Sequence, residues 1–159
     1  YTIFSKATMD DHLRYISVAA LIVSKDRNHF LLGVRGDGDA FKPGSVVFPS
    51  GRLEGDETMR KRIFAEIAEE VGIPVDEGSL TYIGECVFKR QEIPVNQLCF
   101  AVVATDDTIA PRSTELNTIK WMTVADFKKA HACQGYVAEL HGFVEETVRR
   151  GLLNNHTSA

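Results

Sequence analysis

The stretch Gly51-Arg52-Leu-Glu-Gly-Asp56-Glu57-Thr-Met-Arg-Lys-Arg62-Ile-Phe-Ala65-Glu66-Ile-Ala-Glu69-Glu70-Val-Gly72-Ile73 decides how the other residues are read. It reads as a glycine loop running into a short helix. Asp56 is suited to the N-cap, because its carboxylate can accept from the unpaired N–H groups of a first turn. Gly72 is suited to the stop, and Pro74 cannot continue a helix.

The side chains of this helix divide by face. Glu66, Glu69 and Glu70 stand at i, i+3 and i+4 and so share one side. Ile63, Phe64, Ile67, Ala68 and Val71 project from another side, centred roughly 140° away. One face can dock on a core while the other gathers three carboxylates. Like charges that close repel one another, and a divalent cation relieves the repulsion. Hard oxygen ligands favour Mg²⁺, or Mn²⁺, over Zn²⁺. An acidic triplet on its own is usually just the solvated face of an amphipathic helix, so the flanking residues decide.

Those residues carry a resemblance. The stretch resembles the Nudix hydrolase signature, G-x5-E-x7-R-E-U-x-E-E-x-G-U, where U is a bulky apolar residue. Gly51, Glu57, Glu66, Ile67, Glu69, Glu70, Gly72 and Ile73 match at the family spacing, and Ala65 stands where the signature has Arg. The likeness extends upstream through Leu31-Leu-Gly-Val-Arg35, Phe48-Pro49 and Ser50-Gly51, and covers roughly residues 15 to 150.

The resemblance implies a fold, a reaction and a set of roles. The fold is α/β: a Nudix-like α/β/α sandwich with a mixed curved β-sheet. The reaction is divalent-metal-dependent hydrolysis of a diphosphate linkage in a nucleoside diphosphate-X, with a nucleotide sugar or nucleoside triphosphate preferred. Glu66, Glu69, Glu70 and the Ser50 carbonyl are the implied metal ligands. Glu69, Glu70 and Glu115 are the candidates for catalysis, with Glu115 or Glu92 as a base arriving from a loop. Glu57 and Arg62 support the ligands, Arg62 standing one turn before Glu66 where Ala65 cannot act. Arg35 and Arg52 are candidates to meet substrate, and Phe41 or Phe88 to stack on a base. The Leu-Leu-Gly-x-Arg strand is similar to that of the GDP-mannose hydrolases. The loss of Arg at position 65 leaves a second reading, a catalytically weak Nudix-like nucleotide-binding or regulatory module. An isopentenyl-diphosphate isomerase-like activity would need a Cys and a Glu at a double bond, and no motif places Cys86 or Cys99 so.

The apolar and charged fractions are ordinary for a soluble globular protein. The 159 residues are enough for one domain with a sizeable core. The net charge of −4 argues against a DNA-binding role, since phosphate-backbone affinity needs a basic surface. No apolar run approaches the roughly 20 residues that span a bilayer. Cys86, Cys99 and Cys133 are odd in number and form no C-x-x-C, as reduced cytoplasmic thiols do. The expected partner is a small nucleoside diphosphate derivative, with no membrane and with a homodimer as an open option.

The remaining elements follow from pattern. Tyr15–Ser24 is a buried strand and His29–Arg35 its hairpin partner. Residues 1–13 form an arm, and 36–44 a loop by every breaker signal. Leu80–Phe88 and Gln97–Thr105 are strands separated by a polar connection, 89–96, too long for a two-residue turn. Ile119–Thr123 is a short strand, Val124–Ala132 a short helix and Tyr136–Arg150 a longer one. Gly151 ends that helix, and 152–159 are expected to fray.

Overall fold

The computed structural model describes residues 13–35, 45–112, 116–131 and 136–155. The arm up to residue 12, the 36–44 loop with Phe41, Glu115, Cys133 and the last four residues lie outside the described residues.

The strand that organises the molecule is β1 (Tyr15–Val23). Its run from Val18 to Val23 is apolar without alternation, and every side chain in it is buried. A strand so composed needs cover on both faces. Ala19, Leu21 and Val23 pack with Phe127, Leu140, Phe143 and Val144. Val18, Ala20 and Ile22 pack with Ile63, Ile67 and Val71 on the opposite side. The result is helix, sheet, helix.

Among the described residues seven strands form one mixed sheet. β2 (Phe30–Arg35), β3 (Val46–Val47) and β7 (Leu116–Met122) lie to one side of β1. β6 (Ile93–Ala104) and β5 (Val75–Arg90) lie to the other. β1 and β6 run parallel from Tyr15↔Val95 to Val23↔Val103. The second edge of β1 is divided. Its end pairs with β2 at Val23↔Phe30, while Ser17–Ala19 pair with β4 (Ser50–Arg52). That division brings β4 alongside α1 (Met59–Glu66), which continues into a π turn over Ile67–Val71. α2 (Val124–Ala130) and α3 (Tyr136–Arg149) cover the other face.

Four expectations change. The connection 89–96 belongs to the strands, and the turn is Gln91-Glu92, with φ of 52° and 67°. A two-residue turn with both φ positive suits the strand twist whichever residues occupy it. Gly51 lies in a strand, not a loop. The N-cap of α1 is Thr58, whose Oγ accepts from the Lys61 N–H at 3.1 Å, and not Asp56. Gly55 has φ 57° and carries the chain round, so the helix starts later. Finally, the tail is ordered through 155. Leu153 is 2 % exposed in the core, and Asn154 bonds the β1–β2 turn through Arg27 and Asn28. Leu153→Ala should therefore cost about 2–4 kcal/mol in urea unfolding, where a frayed residue would cost nothing.

Candidate active site

β4 is a ledge of three residues, and its ladder fixes which way each backbone group points. The Leu53 N–H bonds the Ile16 carbonyl and the Ala20 N–H the Pro49 carbonyl, both at 2.8 Å. Bonded pairs alternate with unbonded ones along an antiparallel ladder. Val18–Gly51 is therefore a bonded pair and Ala19–Ser50 an unbonded one. Ser50 turns its N–H and C=O away from β1. The N–H donates to Oε2 of Glu70 at 2.9 Å.

Glu66 meets the next residue. A Cβ at Gly51 would stand 2.0 Å from Glu66 Oε1, so only glycine lets the carboxylate lie against the backbone. Glu66 and Glu70 thus converge on the Ser50–Gly51 ledge from α1 and the π turn. Glu70 is 5 % exposed, an expensive place for a carboxylate without partners.

The π turn arranges this. Gly72 has φ 65°, and its N–H bonds the Ile67 carbonyl five residues back at 2.8 Å. One extra residue in the turn changes which side chains share a face, and such turns recur at functional sites. Glu70 is buried against the ledge, whereas Glu69 is exposed. Glu66 and Glu70 meet the ledge, while the Glu69 side chain is exposed. Among the described residues no group of three or more His, Cys, Asp or Glu side chains is gathered as a ready-made metal cage.

Arg62 is at the centre of the charge balance. Its Nε and one terminal nitrogen donate to both oxygens of Glu57, at 2.6 and 2.9 Å. The other terminal nitrogen donates to Glu66 Oε1 at 3.0 Å. The three side chains are only 17, 13 and 12 % exposed, so this network is stronger than the exposed i,i+4 pair the sequence suggests. The Arg62 hydrogen bonds, with help from the Glu54 N–H, hold the Glu57 carboxyl below the usual glutamate range. Burial opposes the shift and is outweighed. The same two carboxylates raise the Arg62 guanidinium further.

Glu57 titrates lower folded than unfolded, so its contribution to stability is complete above the ordinary value of 4.5 and fades as pH falls through the folded value. Urea unfolding at pH 7 and pH 3 should show a larger loss in the native protein than in Arg62→Ala, whose Glu57 keeps only the Glu54 N–H bond. Equal losses would show that the pair contributes nothing.

The other candidates are placed as follows. Arg52 is exposed on β4 with its guanidinium 4.2 Å from the centre of the Tyr15 ring. Arg35 ends β2, where its N–H bonds the Ser45 carbonyl at 3.0 Å. Glu92 sits on the β5–β6 turn, roughly 20 Å along β6 from Leu98, which pairs with Val18 on the edge of β1 opposite Gly51. It is too distant to serve as base. Phe88 packs against the core beside Cys86 and Cys99. Burial, with Glu139 and Glu85 nearby, pushes the Cys86 thiol up to about 11, and burial raises that of Cys99 further. Neither is a nucleophile at neutral pH. Two residues were not singled out from sequence: Ser17 and Gln97, polar side chains buried on the sheet beside the ledge. Their signal was a polar residue inside an apolar strand.

This ledge, glycine and carboxylate helix define a class. The NUDIX domain family profile matches residues 13–140. Among solved structures, the MutT protein from Methanosarcina mazei is 23 % identical, with 87 % of this chain and 95 % of that one covered and a TM-score of 0.70. A C. elegans Ap4A hydrolase is 17 % identical, covering 86 % and 96 %, at 0.67. The NUDIX domain of Shewanella oneidensis NrtR, solved with ADP ribose, is 14 % identical, covering 91 % and 99 %, at 0.67. No curated protein sequence matches. The chain belongs to the Nudix family. That family is one of hydrolases that act on nucleoside diphosphate derivatives. Among the described residues no helix is long and apolar enough to cross a membrane.

Proposed function

We propose that the protein is a Mg²⁺-dependent hydrolase that cleaves the diphosphate linkage of a nucleotide sugar or nucleoside triphosphate at the Ser50–Gly51 ledge. One observation carries the proposal: Glu66 and Glu70 meet adjacent residues of one strand, with the Ser50 carbonyl turned to the same side as the N–H that Glu70 holds. The donor set is all oxygen and suits Mg²⁺ or Mn²⁺. Glu66, Glu70 and the Ser50 carbonyl would hold the ion, with Glu69 completing the set from the rim. Such an ion neutralises charge on diphosphate oxygens and acidifies a bound water.

The chain's own residues do the positioning. Arg62 keeps Glu66 fixed by a charge-assisted bond and offsets one negative charge in an acidic site, the task left open by Ala65. The Ser50 N–H fixes Glu70. Glu69, exposed at the rim, takes the proton of the attacking water at its carboxylate, unless Glu115 serves as that base. Arg52 lies one residue beyond Gly51 and meets the substrate phosphate, and Arg35 closes from β2.

The test is a panel of nucleoside triphosphates, nucleoside diphosphate sugars, ADP-ribose and dinucleoside polyphosphates, with Mg²⁺ and product analysis. Selective release of a nucleotide and a phosphorylated X identifies the substrate. Binding without turnover on every member would establish the nucleotide-binding module instead.

A further inference from the structure

A buried polar relay crosses the sheet next to the ledge. The Gln97 side-chain amide on β6 donates to Ser17 Oγ on β1 at 3.4 Å, and Ser17 Oγ donates to the Gly51 carbonyl on β4 at 3.2 Å. Both side chains are buried, at 3 % and 8 % exposed. They stand on the sheet face that packs against α2 and α3, since Cys99 and Ala19 follow them by two residues on that face. A hydroxyl carries one hydrogen and accepts through its lone pairs. With the Gln97 amide occupying an acceptor site, the Ser17 hydrogen is directed at Gly51.

We propose that Ser17, oriented by Gln97, is a positioning residue for the reaction: its hydroxyl pins β4 so that Ser50 and Gly51 stay in register with Glu70 and Glu66. The proposal rests on the reading of the ledge as the metal-holding site. The need for such a pin is geometric. β4 has three residues and therefore few ladder bonds of its own. The Glu66 carboxylate lies where a Cβ at Gly51 would be, so a small shift of the ledge moves that ligand. Gly51, with no side chain, cannot anchor itself by packing. The carbonyl bond from β1 supplies a hold that comes from the rigid middle of the sheet. A serine that merely satisfied its own burial could bond any carbonyl. This one bonds Gly51, the residue the Glu66 carboxylate lies against and the neighbour of Ser50, which holds Glu70.

The experiment uses the full chain as Ser17→Ala, Ser17→Thr and Gln97→Met. Three readouts are taken: amide hydrogen exchange in metal-free protein, Mn²⁺ affinity by titration, and kcat and KM on the best panel substrate. Ser17→Ala is expected to leave Tm within about 3 °C. It should speed exchange at Ser50 and Gly51 by about tenfold over the other β1 and β4 amides. It should weaken Mn²⁺ binding by about tenfold, the lower end for groups that support metal ligands. kcat should fall while KM for the nucleotide holds. Ser17→Thr, which keeps the hydroxyl, should restore all three, and Gln97→Met should show a smaller loss in the same direction. Native-like exchange at Ser50 and Gly51 in Ser17→Ala overturns the proposal. So does a uniform rise in exchange across the sheet, which marks a purely structural residue. If native protein neither binds Mn²⁺ nor turns over the panel, the ledge is not a metal site and Ser17 has no role in a reaction, whatever the exchange shows. Native turnover with an unaffected Ser17→Ala rejects the relay alone.

Discussion

Glu70→Gln is expected to fold normally and to lose at least about 10²-fold in turnover. The two halves of that expectation have separate causes. Gln is the same size, and its amide oxygen can still accept the Ser50 N–H that Glu70 accepts at 2.9 Å. The ledge contact therefore survives. What disappears is a negative charge that is 5 % exposed and shares the ledge with Glu66. Removing a buried like-charged group does not lower stability and can raise it. The divalent ion loses a charged ligand, and the several kcal/mol it supplies to the transition state fall with its occupancy. Thermal unfolding together with steady-state rates over a range of Mg²⁺ concentrations separates the two effects. A Tm equal to native with the rate down by two orders of magnitude is the predicted pair of results. A rate within about threefold of native would remove Glu70 from the ligand set.

Gly72→Ala is expected to be the most destabilising single-methyl change, at about 3 kcal/mol or more. Two costs add. The residue has φ 65°, where an L side chain costs about 1–2 kcal/mol. An added Cβ would also lie 1.7 Å from the Ala110 carbonyl oxygen, a backbone atom that cannot rotate out of the way. The segment it would displace is tied to the turn. The Ala110 N–H bonds the Val71 carbonyl and the Arg112 N–H the Glu69 carbonyl, both at 2.8 Å. These bonds satisfy carbonyls that the end of a helix leaves open. Pushing the segment away breaks them and loosens the turn that carries Glu69 and Glu70. Urea unfolding should show the loss, with Tm lower by roughly 6–12 °C. A change under about 1 kcal/mol would mean that residues 109–112 do not hold the turn.

The sequence carried the fold where composition was unusual. An apolar run without alternation, Val18 to Val23, rich in β-branched residues, read as a buried strand, and the structure covers it on both faces. The carboxylate helix and its glycine stop were legible from spacing, because Gly72 does end the turn with positive φ. Other features were hidden for physical reasons. Gln91-Glu92 is not a pair that favours positive φ, and the strands on either side impose the turn. Asp56 and Thr58 are both good caps, and the reversal at Gly55 decides between them. The π turn cannot be read from a periodicity of 3.6, yet it puts Glu70 inside and Glu69 outside. Arg62 was visible one turn before Glu66, but its burial and its two bonds to Glu57 were not. Leu152 and Leu153, by contrast, were a readable signal in a tail otherwise polar, and both pack against the core.

The measurement that bears most directly on the ledge as a metal-dependent hydrolytic site is turnover of the best panel substrate against Mg²⁺ concentration, with a chelator and then with Mg²⁺ restored. A rate that saturates with Mg²⁺, vanishes with chelator and returns on Mg²⁺ addition is the predicted result. Turnover that persists undiminished in chelator would contradict it.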